Sequence, residues 1–259
     1  MPVYARKLVL RTCGRFSVVA SDFGADYRTH THVTGEALHA SLTRGVTWLP
    51  GPILIRQDSY DFHRDYDVSQ RPVWFTPGLF HSDLGGYRLS ASELDSTRFN
   101  AVHELYPTTG ASYGFDRRTS SLKLVNRPAH VPTYGTWQSI LPNRQILTCG
   151  FSADRRLLDY FEVGQTYLLG KKRTMVQITE LSSVAEASED FGMCHTPFIQ
   201  LPPDGAKHFA SFEVAAVTLR YILIRGQTRE ATRCWKFSWE SGEPVALPAF
   251  YVESVLPLG

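Results

Sequence analysis

The chain of 259 residues is poor in several things, and each shortage excludes a class of function. It has four cysteines, Cys13, Cys149, Cys194 and Cys234, far apart and without a CxxC pair. That spacing suits neither a zinc site nor a disulfide frame, and it reads as reduced thiols. No apolar run approaches the length that crosses a bilayer, so no membrane is expected as a partner. Met1-Pro2-Val3-Tyr4 carries no signal-peptide pattern, and the expected location is the cytoplasm. There is no Gly-x-Ser-x-Gly elbow, no internal repeat and no low-complexity tract. Gly164 to Lys172 has the outline of a phosphate loop, but the spacing is one residue too long. Lys172 also stands where a Ser or Thr would hold magnesium. His30 and His32 could present two imidazoles on one extended face, with no acid or cysteine beside them to complete a metal site. No cofactor and no metal are expected.

Lysine is scarce as well. Of 27 basic residues only 6 are Lys and 21 are Arg, the cation whose planar fork grips phosphate and stacks on bases. The net charge of +2 hides an asymmetry. Residues 1–178 hold 21 basic and 15 acidic groups, and residues 179–259 hold 6 and 10. The basic surplus is densest from Arg117 to Arg173, where ten cations face three acids. Rings are interleaved there, among them Tyr134, Trp137, Tyr160 and Tyr167. Phosphate-gripping cations alternating with stacking rings are what single-stranded nucleic acid requires of a protein.

Hydrophobic content of 43% with 20% charged residues is that of a folded globular chain. The first eleven residues alternate as a strand, with Val3, Lys7 and Val9 on one face and Tyr4, Leu8 and Leu10 on the other. A short β run is expected at Phe16–Ala20 and a loop from Asp22 to Thr34. Thr34 is a candidate N-cap for a helix over Gly35–Arg44. Eight prolines punctuate residues 48–145, with short β runs at Ile53–Arg56, Pro72–Thr76, Gly86–Leu89 and Ser121–Val125. This stretch reads as a β-rich insertion with hairpins. Gln145–Ser152 is a strand, Arg155–Val163 a short helix and Met175–Leu181 a further strand. Residues 182–210 read as loop, Ser211–Arg225 as a long or bent strand pair, and Arg233–Trp239 and Val245–Val252 as strands. Strand, loop and helix at the opening spacing begin a ferredoxin-like or RNA-recognition-motif domain.

Two local texts carry the chemistry. Gly170-Lys171-Lys172-Arg173 at a strand start reads as a sequence-independent phosphate clamp. Between Asn126 and Trp137, Pro128 and Pro132 hold the chain extended, and Tyr134 and Trp137 follow as stacking candidates. A metal-free ribonuclease needs only a His, a Lys and a Tyr converging, and His130, Tyr134 and Lys171 could supply them. A β-rich protein-interaction module without a nucleic-acid role stays open beside it.

The opening strand, the early helix, Phe99-Asn100, Pro132 to Gly135, the strand at Cys149 and Tyr167-Leu-Leu-Gly-Lys-Lys occur in an order that resembles a known family. It is the crRNA-handle-binding RAMP subunit, the fifth Cas subunit, of the type I-D CRISPR Cascade. The resemblance spans roughly residues 3–45 and 95–181. It implies an α+β fold: a ferredoxin-like (RRM-type, RAMP) palm over residues 1–181, with a β-hairpin thumb insertion at about 48–145 and a smaller β-rich C-terminal part over 182–259. It implies a non-catalytic subunit that caps the crRNA 5′ handle, contacts the filament-forming backbone subunit and the large subunit, and lies near the PAM of the target DNA. Lys171, Lys172 and Arg173 would grip handle phosphates, and Tyr134 and Trp137 would stack on bases. Arg117, Arg118 and Arg127 would line the path from the thumb, and Asn100 would also bind RNA.

Overall fold

A computed structural model of the chain describes residues 2–17, 19–22, 26–43, 73–100, 112–116, 121–125, 134–169, 174–191, 195–196, 199–201, 203–217, 221–230, 232–240 and 244–256. The N-terminal alternation becomes strand β1 (Tyr4–Thr12), the spine of an eight-stranded antiparallel sheet. On one side β1 pairs with β11 (Gln145–Ser152), in register from Tyr4 opposite Ser152 to Arg11 opposite Gln145. On the other side it pairs with β13 (Thr174–Leu181), which in turn pairs with β12 (Thr166–Leu169). Beyond β11 lie β5 (Val73–Phe75) and β6 (Gly78–His81), and β4 (His32–Val33) closes that edge against β6. β14 (Ala185–Glu186) pairs with the start of β1.

Two helices cover the face that carries Leu8 and Leu10. Helix α1 (Gly35–Leu42) starts where the Thr34 hydroxyl accepts the Ala37 N–H at 3.3 Å, satisfying one of the donors a helix start leaves unpaired. Leu38 and Leu42, one turn apart, are fully buried against Leu10, Phe75 and Leu169. The helix ends at Leu42 with Thr43 as its cap; Arg44, the expected end, lies outside the described residues. Helix α2 (Arg155–Asp159) is capped by Asp154, whose carboxylate accepts the Arg156 N–H. It stops short of the expected Val163. The chain turns at Tyr160 so that Phe161 enters the core, and Gly164, at φ 96, turns it toward β12. Arg6 fastens this corner. Its guanidinium donates to the carbonyls of Leu158, Phe161 and Ser182 at 2.8–2.9 Å.

The opposite face of β1 feeds a second core. Val3 and Ala5 pack with Phe151, Leu201, Leu223, Phe237, Leu247 and Tyr251. These residues bring the C-terminal third onto the main sheet. That third holds a three-stranded sheet of β15 (Ser188–Phe191), β20 (Arg233–Phe237) and β21 (Val245–Pro248). It also holds a four-stranded one of β16 (His195–Thr196), β17 (Ile199–Leu201), β18 (Phe209–Val217) and β19 (Tyr221–Thr228). The expected strand over 245–252 breaks at Pro248, and the chain continues as helix α3 (Ala249–Glu253). The expected loop over 182–210 contains β14 to β17, short strands that take their bonds from β1, β19 and β20.

A separate sheet is built from β2 (Val19–Asp22), β3 (Asp26–Thr29), β10 (Tyr134–Ile140) and β7 (Leu94–Asn100). The expected loop over 22–34 therefore contains β3 and β4. β8 (Ser112–Asp116) and β9 (Ser121–Val125) pair as a hairpin. The stretch 48–145 lends β5 and β6 to the main sheet rather than standing wholly apart from it. The β run expected at Gly86–Leu89 is instead a turn and irregular chain, with Gly85 and Gly86 at φ 91 and 77. Ile53–Arg56 lies outside the described residues.

Candidate nucleic-acid interface

Lys171, Lys172 and Arg173 lie outside the described residues, but their flanks do not. The four residues 170–173 join Leu169 to Thr174, and these two are register partners in the β12–β13 hairpin. The hairpin is anchored from below. Leu169 is buried, and the Ser41 hydroxyl of α1 donates to the Leu168 carbonyl at 2.8 Å. It is anchored at its end by Thr174, whose hydroxyl donates to the Arg15 carbonyl at 3.1 Å.

Arg15 connects that hairpin to the β7–β10 ladder. Its guanidinium meets Asp95 at 2.5 Å and donates to the Thr97 hydroxyl at 3.4 Å. Thr97 is the register partner of Trp137, and Asp95 that of Ser139. Register partners present their side chains on the same face of a sheet, so Arg15 and half-buried Trp137 share one face across Thr97. The Arg15–Asp95 pair is exposed, which makes it a weak bond that a phosphate can compete with. The neighbouring ladder position, Arg98 opposite Thr136, adds an exposed cation on the other face. The end of the β12–β13 hairpin and the ladder that carries Trp137 thus meet at Arg15.

Tyr134 and Asn100 are register partners at the end of the β10–β7 ladder, so these two residues are also brought together. Arg117 and Arg118 fall in the connection between Asp116 and Ser121, themselves partners at the end of the β8–β9 hairpin. That connection, Arg127 and His130 lie outside the described residues. Arg15, Thr97 and Thr174 were not legible as site residues, because hydrogen bonds between segments far apart in the sequence join them.

The imidazoles of His30 and His32 do come together, with ring centroids 4.6 Å apart. His32 is buried, and its Nδ1 has no hydrogen-bond partner. Burial, helped by the charge of His30, lowers its pKa to about 4. Among the described residues, no three His, Cys, Asp or Glu side chains converge as a metal site would need. Burial pushes the Cys149 thiol up to about 12, which removes it as a nucleophile at neutral pH. Among the described residues, no helix is long and apolar enough to cross a membrane.

No protein-family model matches the chain, and no curated protein matches it. Among solved structures it is similar to a chain of the type III-B Cmr-beta complex bound to cognate target RNA and AMPPnP. The identity is 9%, over 89% of this chain and 86% of that one, with a TM-score of 0.40. A second similarity, to a chain of Cmr-beta bound to cognate target RNA, has 8% identity over 89% and 85%, with a TM-score of 0.38. Superposition this loose leaves function to be read from the chain's own residues.

Proposed function

We propose that this chain is a non-enzymatic, RNA-holding subunit of a CRISPR surveillance complex, of the type I-D Cascade kind, and that it grips the 5′ handle of the crRNA. The observation that carries this reading is the junction at Arg15. There the hairpin that bears Lys171, Lys172 and Arg173 meets the ladder that bears Trp137. Cations for phosphates and a ring for bases within one junction suit a single strand. The strand order also supports the reading. β13, β1, β11 and β6 lie side by side and antiparallel, with α1 between β1 and β6 in the chain and α2 between β11 and β13. That is the order of a ferredoxin-like domain, and it fits a RAMP palm over residues 1–181 with 182–259 as its smaller companion. The β8–β9 hairpin takes the place of the thumb, and Arg117 and Arg118 follow β8 in the sequence.

In the assembled complex this subunit caps one end of the filament of backbone subunits, in the cytoplasm. It abuts the large subunit near the PAM of the target DNA, and base pairing rather than protein reads the sequence. The test is a gel shift of the full chain against a labelled crRNA repeat in EDTA, across a salt series. Binding should weaken steeply as salt rises, without cleavage products. Replacing Lys171, Lys172 and Arg173 together by Ala should flatten the dependence of log affinity on log salt by about two units. Cleavage in EDTA, lost on His130→Ala, would replace this reading with a ribonuclease. An unchanged slope in the folded triple variant would remove the clamp.

A further inference from the structure

The helix-free face of the main sheet is sealed by the C-terminal third at one end only. Val3 and Ala5 are buried there, whereas Lys7 and Val9, further along the same face of β1, line a cleft of about 1050 Å³. Leu147 and Cys149 of β11 complete its floor, and β18 and β19 form a wall with Phe212, Glu213 and Arg225. The turn Gly85-Gly86-Tyr87-Arg88 lines it as well.

The chemistry of this lining is one-sided. Three cations, Lys7, Arg88 and Arg225, face one acid, Glu213, which is already engaged by Arg88 at 2.5 Å. Lys7 lies over the Trp239 ring at 4.3 Å, and Arg225 is exposed. Tyr87 and Phe212 place rings along the same cleft, and Phe212 is 42% exposed. At Gly85 and Gly86 an added Cβ would meet nothing within 4 Å, so the backbone of this turn can be approached closely. This turn is held firmly from behind. The buried Glu93 carboxylate accepts the Asp83 N–H at 2.8 Å and the Ser82 hydroxyl at 2.7 Å, and Arg144 pairs with both Glu93 and Asp83.

We propose that this cleft is a second binding site, for a short run of single-stranded nucleic acid. Lys7 and Arg225 take the phosphates, and Tyr87 and Phe212 stack on bases. An acidic peptide would use the cations but not the rings, and the apolar floor at Val9 and Leu147 suits a base rather than a carboxylate. The site extends the RNA-binding reading to residues the hairpin corner does not use, so the two can fail separately.

The experiment is photocrosslinking of the full chain to a single-stranded RNA carrying photoreactive uridines, mapped by mass spectrometry, alongside affinity across a salt series. Crosslinks are expected on peptides containing Tyr87 or Phe212. Arg225→Glu should abolish them and lower the salt slope by about one unit, while crosslinks at Trp137 persist. Phe212→Ala should weaken the cleft crosslinks without moving the slope. Unchanged crosslinks and slope in folded Arg225→Glu would overturn the proposal. So would displacement of the RNA from the cleft by poly-glutamate at equal charge. Loss of the cleft crosslinks in the Lys171, Lys172 and Arg173 triple variant would show that the cleft is not a site of its own.

Discussion

Replacing Glu93 by Leu is expected to destabilise the protein by about 3–5 kcal/mol, the range for removing one partner of a buried ion pair. Glu93 is 2% exposed, and its carboxylate accepts from the Ser90 and Asp83 amides and from the Ser82 and Ser90 hydroxyls. Arg144 donates to it at 3.2 Å. The substitution would take the acceptor from the Ser90 and Asp83 amides, while Arg144 keeps Asp83. Glu93→Gln keeps an acceptor oxygen and should cost less. Urea unfolding of both variants checks the ranking, and equal losses would mean that shape rather than charge matters at this position.

The same carboxylate carries an acid signature. Burial alone would raise its pKa, but the two amides and two hydroxyls outweigh burial and hold it at about 2, from an ordinary value of 4.5. Its contribution is therefore complete above pH 4.5 and is lost as the pH falls through 2.

A second large effect should appear at milder acidity. The His32 imidazole is buried and neutral, with its pKa lowered from 6.5 to about 4 by burial and then by His30. Above pH 6.5 both folded and unfolded chains leave it uncharged, and stability is full. Between 6.5 and 4 the unfolded chain takes up a proton that the folded chain refuses, so stability falls, and below 4 the loss levels off. By pH 4.5 the loss from this one residue should be about 2–3 kcal/mol. The measurement is the unfolding free energy at pH 7.5 and 4.5 for the parent and for His32→Leu. The decline between the two should shrink by that amount in the variant. A parallel decline would mean that the folded protein accepts the proton at His32 without cost.

How much of this was legible beforehand depended on how local the cause was. β1, α1, β11 and β13 were readable because alternation, the Thr34 cap and the Leu38–Leu42 spacing are written in neighbouring residues. β3, β4 and β14 to β17 were not. A strand of two to four residues has little pattern of its own and exists through bonds to a partner far along the chain. The turn from β21 into α3 was missed because Val245 to Val252 is apolar enough for either structure, and only Pro248 marks the change. At the site, Trp137 and Tyr134 stood out as rings in an extended segment. Arg15 did not, since nothing near it in sequence distinguishes it from any surface arginine. The cleft was invisible for the same reason: Lys7, Arg88 and Arg225 become neighbours only after two sheets have met.

One contact between the two cores has a consequence for how the molecule can come apart. The side-chain amide of Gln200, on β17, donates to both oxygens of Glu36 and accepts the Gly35 N–H, and it does so at the first turn of α1. Gly35 has no room for a side chain, because a Cβ there would sit 2.5 Å from the Phe75 carbonyl. The helix start is thus pressed against β5 on one side and finished on the other by an amide from the C-terminal third. An amide can serve both a carboxylate and an N–H only in one orientation, so Gln200 acts as a key that fits one way round. Lifting the C-terminal third away would also take from the first turn of α1 the acceptor of its Gly35 N–H and a donor to Glu36. The two regions should therefore behave as one cooperative unit, and the hairpin that α1 supports through Ser41 inherits its rigidity from Gln200, 164 positions beyond Glu36 of that helix.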